Sequence, residues 1–174
     1  MYKRTQFSTT TPLPSSITRE FVIEILHNHE QMIDFNPIVI ERHPLTTAPA
    51  SVSTDELPFQ WYRIQDGIQA GYSKYNAGFF NLNDGVQTRV CAPLGLQING
   101  KWTVCEAMPD DLKEIEDEVK PVKGLWLRED VDMECNLFLT WFVKRTMKKS
   151  HCALVQRLIA KAEKLSEGKQ QPVL

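Results

Sequence analysis

The feature that most constrains this chain is a strand near its C-terminal end that leads directly into its longest helical segment. From Leu125 to Glu167 the sequence contains neither Gly nor Pro, so nothing in it interrupts a long helix. One stripe at helical spacing contains Leu139, Val143, Met147, Ser150, Leu154, Leu158 and Leu165. A helix with an apolar stripe must bury that stripe, so we expect it to lie across a curved sheet.

The strand before this helix has two unlike faces, because successive strand residues point to opposite sides of a sheet. One face carries Leu125, Leu127, Glu129 and Val131. The other face carries Trp126, Arg128, Asp130 and Asp132. Which of the two points inward depends on the strand register and stays open at this point.

Length and composition indicate one globular domain. A chain of 174 residues can bury a substantial core, and we expect the domain to span residues 1–167, with a polar tail at 168–174. A net charge of −2 argues against a nucleic-acid partner. No apolar run is long enough to cross a membrane, and the first residues lack the apolar core of a signal peptide. We therefore expect a cytoplasmic protein. The cysteines are expected to be buried thiols, since none lies in a C-x-x-C pair: Cys91, Cys105, Cys135 and Cys152.

The first part of the chain predicts a strand followed by a broken helix. Residues 3–13 are rich in β-branched residues and end in prolines. Ser15 or Ser16 can cap a helix whose apolar pairs are Phe21, Val22, Ile25 and Leu26. Asn28, with Gln31 three residues later, has the form of a second cap, so the helix is expected to break and restart there. Pro37 ends the helical region.

The middle of the chain predicts a run of about six antiparallel strands. We place strands at 38–45, 59–64, 72–82, 86–91, 94–98 and 101–108, with a loop at 46–57. Asp66-Gly67 is expected to end the second of these, and Asn83-Asp84-Gly85 and Asn99-Gly100 are expected to form hairpin turns. Residues 109–119 carry six acids and are expected to be a solvated loop or short helix rather than a cation site.

This order of elements matches the helix-grip, or START-like, architecture: an α+β fold in which a curved antiparallel sheet wraps around a long C-terminal helix. That resemblance implies an internal cavity for an apolar ligand, because sheet and helix do not fill the space between them in such folds.

A closer resemblance rests on motifs spread over nearly the whole chain. They are Leu26-His27-Asn28-His29-Glu30, Asn36-Pro37, Val39-Ile40-Glu41-Arg42-His43-Pro44, Trp61-Tyr62, Gln87-Thr88, Ala92-Pro93-Leu94-Gly95-Leu96, Lys101-Trp102, Leu127-Arg128-Glu129-Asp130-Val131, Cys135-Asn136 and Phe142-Val143-Lys144. As a set, these motifs resemble a family of small, uncharacterised fungal proteins with a START-like (SRPBCC-type) fold. By analogy with the genes near which such families occur, the resemblance implies a role in secondary metabolism.

Familiar catalytic and cofactor motifs are missing from the sequence. Glu24 and His27 have the spacing of a di-iron bundle motif, but there is only one copy, and His29 lies about 200° away from His27 around a helix. His151 and Cys152 point in different directions, so a catalytic Cys/His pair is not expected. There is no Gly-rich phosphate loop. We expect neither a metal nor a cofactor.

The C-terminal helix is strongly basic. Between Lys144 and Lys164 there are seven Lys/Arg residues and one acid, Glu163. An anionic membrane or an acidic partner is one explanation, and the solvated face of a packed helix is the explanation we favour. Membrane contact is therefore compatible with the sequence but not required by it.

Polar and aromatic residues facing the expected cavity are the candidate site. The predicted catalytic residues are Tyr72, Arg89, Glu106, Arg128, Asp130 and Asp132. The predicted substrate-binding residues are Trp61, Tyr62, Tyr75, Gln87, Trp102, Trp126, Thr140, Trp141, Val143, Met147 and Ser150. An apolar pocket with a few convergent polar groups is what small-molecule binding requires.

Two functions follow from such a site. The first is a cofactor-free enzyme of secondary metabolism that cyclises a hydrophobic substrate, for example in a Diels–Alder reaction, or isomerises it. The second is a non-catalytic carrier or binder of a lipid, a sterol or a similar ligand. In both cases the partner is a hydrophobic small molecule, and the protein is expected to be a monomer or a homodimer.

Overall fold

One antiparallel sheet and three helices make up the described part of the molecule. The computed structural model describes residues 1–68, 71–106 and 124–168. In chain order the elements are β1 (Tyr2–Pro12), α1 (Arg19–His27), α2 (His29–Asp34), β2 (Val39–Pro44), β3 (Gln60–Ile68), β4 (Gly71–Leu82), β5 (Gly85–Ala92), β6 (Leu96–Cys105), β7 (Trp126–Asn136) and α3 (Thr140–Gly168). The predicted acidic segment at 109–119, residues 107–108 of the last predicted hairpin strand and the tail from residue 169 lie outside the described residues.

The seven strands form one sheet in the order β1-β7-β6-β5-β4-β3-β2. The first and last strands of the chain are therefore neighbours, and they pair in antiparallel register from Tyr2–Asn136 to Pro12–Trp126. All the other neighbouring pairs are antiparallel as well. The predicted α+β architecture, a curved antiparallel sheet with a long C-terminal helix, is confirmed.

The helix break at Asn28 is confirmed, and its cause is local. The Asn28 side chain accepts a hydrogen bond from the Gln31 amide, so it caps α2 at the point where α1 ends. The cap of α1 was predicted at Ser15 or Ser16 and is instead Thr18, whose hydroxyl accepts from the Phe21 amide. Ser15 and Ser16 instead lie in a turn that is closed by the Ile17 amide, which donates to the Pro14 carbonyl over 3.0 Å, so the helix starts two to three residues later.

The first predicted hairpin is confirmed and the second is wrong. Asn83 and Asp84 form the turn between β4 and β5. Asn99 and Gly100, in contrast, lie in the middle of β6. Gly100 pairs with Thr88 on one side and Val131 on the other, and a Cβ on Gly100 would lie 2.3 Å from the Thr88 hydroxyl. This glycine therefore allows a close approach between strands and does not form a turn.

The real turn between β5 and β6 comes earlier, at Pro93–Gly95. Leu94 and Gly95 have φ values of 60° and 70° there, the left-handed conformation that glycine adopts at no steric cost. Similarly, Asp66-Gly67 does not end β3, which continues to Ile68. Both errors have one reason: pairing with two neighbouring strands overrides the local preference of a turn dipeptide.

The sheet has an inner face, on which the helices pack, and an outer face. The main core lies on the inner face and joins the sheet to α1, α2 and the second half of α3. It contains Leu13, Ile17, Val22, Ile25, Leu26, Met32, Ile33, Tyr62, Ile64, Ala77, Phe79, Val86, Trp102, Val104, Leu127, Leu154, Val155 and Leu158. No helix in the described part of the chain is long and apolar enough to cross a bilayer.

A second apolar group, which we call the half-open cluster, lies on the same face under the first half of α3. Its buried members are Ile98, Val131, Met133 and Cys135, and its partly buried members are Phe7, Val90, Leu96, Val143 and Met147. Five of its nine side chains keep some solvent exposure, whereas the residues of the main core named above are all buried.

Candidate functional site

Strand β7 presents its Leu127 face inward. The inward residues Leu127, Glu129, Val131, Met133 and Cys135 are all buried, while Arg128, Asp130 and Asp132 are only partly buried. The inward face thus includes one acid, Glu129. The three charged residues that were predicted to be catalytic lie on the opposite, outer side of the sheet.

Glu129 is paired with a histidine from α3. His151 Nδ1 lies 2.9 Å from Glu129 Oε2, and His151 Nε2 lies 3.1 Å from the hydroxyl of Thr11 on β1. The imidazole also stacks on Trp102, with 4.9 Å between ring centroids and 8° between planes. With Nδ1–H donating to the carboxylate, Nε2 of a neutral imidazole accepts from Thr11. We call Thr11, Glu129 and His151 the buried triad.

Burial sets the electrostatics of this triad. Glu129 is 7% exposed and His151 is 1% exposed. Burial raises the pKa of Glu129 above its ordinary value, and the hydrogen bond and charge of His151 oppose that rise. A carboxyl group whose pKa is raised by burial and that is hydrogen-bonded to an imidazole can both give and accept a proton. The arrangement is therefore chemically suited to proton transfer.

The buried triad borders the half-open cluster. Glu129 is two residues from Val131 on the same face of β7, and His151 is one helical turn after Met147 on α3. Phe7, which pairs with Val131, and Met147 are both only partly buried. The neighbours of the triad on the inner face are thus apolar side chains that keep some solvent exposure.

A second inward acid lies on β3. The hydroxyl of Tyr75 donates to Asp66 Oδ1 over 3.1 Å. Burial raises the pKa of Asp66, which the hydrogen bond from Tyr75 opposes, and burial also raises the pKa of Tyr75. Tyr75, a predicted substrate-binding residue, thus lies on the inner face with a polar partner.

On the outer face, the charged residues predicted to be catalytic form hydrogen bonds with residues of β1 and β7. Arg4 donates to Asp132 from Nε at 2.8 Å, and Arg128 donates to Asp130 from Nε at 2.9 Å. Ser8 also donates to Asp130. An open groove of about 530 Å³ runs past these carboxylates, and its other polar residues are Gln6, Ser8, Gln87, Asn99 and Lys101. These predicted residues do converge, but on the face away from α3.

The other three predicted catalytic residues do not join either group. Tyr72 is exposed on β4, beneath the ammonium of Lys74. Arg89 forms an ion pair with Glu56 at 2.7 Å on the outer side. Glu106 is exposed at the end of β6, 3.7 Å from Arg19.

The predicted substrate-binding residues divide between the two faces. Those on the inner side of the sheet or on the adjoining part of α3 are Tyr62, Tyr75, Trp102, Val143 and Met147. Ser150 is half-buried on α3, one residue before His151. Thr140 donates to the Asn136 carbonyl at the start of α3, so it has a structural role there.

The remaining four predicted substrate-binding residues lie away from the inner face. Trp61 is buried on the outer side of β3, where its indole donates to the Glu56 carbonyl over 3.2 Å. Trp126 is buried on the side of β7 opposite Leu127. Gln87 is exposed in the outer groove. Trp141 is exposed on α3.

Sequence reasoning missed Thr11, Glu129, His151 and Asp66. A signal for two of them was present. Glu129 is the acid that interrupts the run of apolar residues on its strand face, and His151 falls four residues after Met147 and three before Leu154, on the helix stripe. What the sequence lacked was the distance between them, which only the packing of α3 on β7 supplies.

The histidines of the α1–α2 region have structural roles. His27 Nε2 lies 3.0 Å from the carbonyls of both Leu82 and Gly85, at the β4–β5 turn. His29 lies 2.7 Å from Asn81 Oδ1 and stacks on Phe79. No group of three or more His, Cys, Asp or Glu side chains able to hold a metal ion occurs within residues 1–68, 71–106 and 124–168.

Several solved structures share this fold. A START superfamily protein from Mycobacterium smegmatis aligns with a TM-score of 0.60 at 16% identity, over 92% of this chain and 98% of that one. The di-domain ARO/CYC StfQ from the steffimycin biosynthetic pathway aligns with a TM-score of 0.65 at 10% identity, over 94% of this chain and 52% of that one.

The Zhui aromatase/cyclase from Streptomyces sp. R1128 is also similar, with a TM-score of 0.52 at 13% identity, over 94% of both chains. At these identities the likeness shows the fold, which is the START-like helix-grip fold. No curated protein sequence matches this chain.

A family model covers almost the whole chain, from residue 2 to residue 164. Its match includes the sheet, all three members of the buried triad and nearly all of α3. The chain therefore belongs to the family described as Domain of unknown function (DUF7053).

Proposed function

We propose that this protein is a cofactor-free enzyme that binds a hydrophobic small molecule between α3 and the inner face of the sheet and moves a proton on it, in an isomerisation or a cyclisation. The observation that carries the proposal is the Glu129–His151 pair, with 2.9 Å between its nitrogen and oxygen, at the border of the half-open cluster. A place in fungal secondary metabolism is part of the same proposal, supported by the family resemblance of the sequence motifs.

The mechanism needs only groups of the chain itself. With Glu129 ionised, its carboxylate would remove a proton from a carbon next to a substrate carbonyl, while Nδ1–H of His151 stays bonded to it. The resulting enolate then takes that proton back from Glu129 at another carbon, which isomerises the substrate. Alternatively, the enolate attacks a second carbonyl, which closes a ring, and the alkoxide oxygen formed there takes the proton from Glu129. No net proton, electron or group is gained or lost, so no co-reactant is required. Thr11 would hold the imidazole by its second nitrogen.

A Diels–Alder cyclisation is the version that uses shape alone. It requires the binding site between α3 and the sheet to bring the two reacting ends of a flexible substrate together. This would lower the activation barrier by up to several kcal/mol. The buried triad has no part in that version. Since a buried acid–base pair is expensive to maintain in an apolar core, its presence favours proton transfer.

A non-catalytic carrier of a lipid or sterol is the second candidate. Its support is the exposed aromatic and basic end of α3, which includes Trp141 and Arg145. Contact with a membrane would let a carrier collect a poorly soluble ligand there. In that case the buried triad serves only to position α3 on the sheet.

Proton exchange into a model substrate tests the proposal without knowledge of the natural one. The protein would be incubated in D2O with a panel of polycyclic ketones, and deuterium uptake next to the carbonyl followed by NMR. We expect uptake above the uncatalysed rate for at least one ketone. Glu129→Gln and His151→Gln should each lower that rate about 100-fold, the usual worth of general acid–base catalysis.

Asp130→Asn is the matched control, because Asp130 is the next residue on β7 but faces outward. It should leave the rate unchanged. Binding is measured separately, by displacement of the fluorescent probe anilinonaphthalene sulfonate, and should survive both glutamine substitutions. If the wild type binds the ketones but exchanges no proton in any of them, the protein is a carrier. A rate that is equal in wild type, Glu129→Gln and His151→Gln removes the triad from the mechanism.

A further inference from the structure

The start of α3 and the turn just before it carry large hydrophobic side chains that the fold leaves uncovered. Phe138 is 91% exposed, Trp141 is 69% exposed and Phe142 is 58% exposed, and Leu137 beside them is also exposed. Exposed aromatic residues grouped in this way are unusual on the surface of a water-soluble domain and mark a contact site. Packing on the sheet does not explain them, because α3 faces the sheet with Val143, Met147 and His151.

Cations continue the same face of the helix. Trp141, Arg145, Lys148 and Cys152 recur at intervals of three or four residues, so they lie on one side of α3. Lys149 is also exposed and lies beside Lys148. Arg145 lies 5.3 Å from the centre of the Trp141 ring, so the aromatic and basic parts of this face are in contact.

The charge of this segment is opposite to that of the molecule. Residues 137–162 contain six Lys/Arg and no Asp or Glu, although the net charge of the chain is −2. A groove of about 620 Å³ runs along the segment, lined by Trp141, Lys144, Arg145, Lys148, Lys149, Cys152, Ala153 and Gln156. The groove thus has four cations around it, which suits a bound anionic group.

We propose that this face, formed by Phe138, Trp141, Phe142, Arg145, Lys148 and Lys149, docks the protein on the surface of a bilayer that contains anionic lipids. The aromatic rings enter the boundary between headgroups and acyl chains, where Trp is favoured. The cations contact the lipid phosphates and carboxylates, and the groove receives a headgroup. Aromatic rings at the start of the helix with Lys and Arg beside them are typical of a helix that lies in the membrane interface, so we favour a bilayer over an acidic protein surface.

Docking in this way holds the first half of α3 at the bilayer, and Val143 and Met147 of the half-open cluster lie on the sheet-facing side of that same half. A hydrophobic ligand moving between the bilayer and the half-open cluster would then have only a short distance to travel. This holds whether the ligand is transformed or only carried, so the surface is independent of the proposed proton-transfer chemistry.

The test is sedimentation with vesicles of phosphatidylcholine alone and of phosphatidylcholine mixed with phosphatidylserine. We expect binding to the mixed vesicles and none to phosphatidylcholine alone, with affinity falling as salt is added. Lys148→Gln combined with Lys149→Gln should weaken binding about 25-fold, since each cation near an anionic surface contributes about fivefold. Lys3→Gln combined with Lys74→Gln removes the same charge from exposed lysines of the sheet and should change little.

Trp141 supplies a second measurement, because the other three tryptophans, Trp61, Trp102 and Trp126, are buried. Its fluorescence should shift to shorter wavelength on mixed vesicles, and Trp141→Phe should abolish the shift while the protein still sediments. The proposal is overturned if the wild type does not sediment with mixed vesicles, if the lysine pair and its control behave alike, or if the protein binds polyglutamate and not vesicles.

Discussion

Two neighbouring acids on β7, Glu129 and Asp130, lie on opposite faces of the sheet and in different environments. Glu129 points inward, where it is almost completely buried and bonded to the fully buried His151. Asp130 points outward, bonded to Arg128 and Ser8 beside an open groove. The two residues are consecutive, so the alternation of a strand alone separates them.

The comparison shows that the balance between burial and hydrogen-bond partners decides in which direction the pKa of an acid shifts. Burial raises the pKa of Glu129 even though a histidine is bonded to it. Burial also acts to raise the pKa of Asp130, but the bonds from Arg128 and Ser8 outweigh it and the pKa is lowered. Glu129 is therefore protonated more easily than an ordinary glutamic acid, and Asp130 less easily than an ordinary aspartic acid.

The largest expected effect on stability comes from removing one member of the Glu129–His151 pair. His151→Ala leaves Glu129 buried without a partner and opens a cavity beside Trp102, so we expect a loss of about 3–5 kcal/mol in the free energy of unfolding. Urea denaturation followed by circular dichroism measures it.

The control for this prediction replaces both members by apolar residues. Glu129→Leu combined with His151→Phe removes the buried charge altogether and should come within about 2 kcal/mol of the wild type. If the double variant is no more stable than His151→Ala, the loss of stability comes from lost packing and not from the buried charge of Glu129. In that case Glu129 does not differ from the outward-facing acids in the effect of burial on its charge.

A smaller effect is expected at the second inward acid, Asp66. Because its pKa in the folded state is raised by burial, the stability it contributes is present below the ordinary value of 3.8 and is lost as pH rises through the folded value. Asp66→Asn should therefore gain stability relative to the wild type as pH rises from 3 towards 7, with a slope of at most about 1.4 kcal/mol per pH unit. Denaturation curves at a series of pH values show the sign, and a difference that does not change with pH contradicts it.

The smallest effect on stability is expected at Asp132 on the outer face, and its change with pH has the opposite sign to that at Asp66. Hydrogen bonds from Arg4 and then Gln6 lower the pKa of Asp132 to about 2, so its contribution is present above the ordinary value of 3.8 and is lost as pH falls towards 2. Asp132→Asn should lose stability relative to the wild type above pH 4 and match it near pH 2. The difference should shrink in high salt, because Arg4 is mostly exposed to solvent.

The sequence predicted local features well where one or a few neighbouring residues decide them. The Asn28 cap needs only the amide of Gln31, three residues on, and the Asn83-Asp84 turn needs only its own backbone preference. Prediction was wrong at Asn99-Gly100 and at Asp66-Gly67, because there the strands on either side decide the backbone. The same limit applies to the candidate site. The sequence predicted which tryptophan and tyrosine residues to consider, but it did not predict on which face of the sheet each of them lies.

The sequence by itself determined the class of this protein. The order of strands, the broken first helix and the uninterrupted segment after residue 125 are enough to predict a curved sheet with a helix across it, because hydrophobic periodicity and turn residues are local properties. Only the tertiary structure decided which side of β7 became the interior, and so which acid met a histidine. Glu129 and His151 are 22 residues apart in the chain. Their contact depends on how α3 packs on the sheet, which no local sequence pattern encodes.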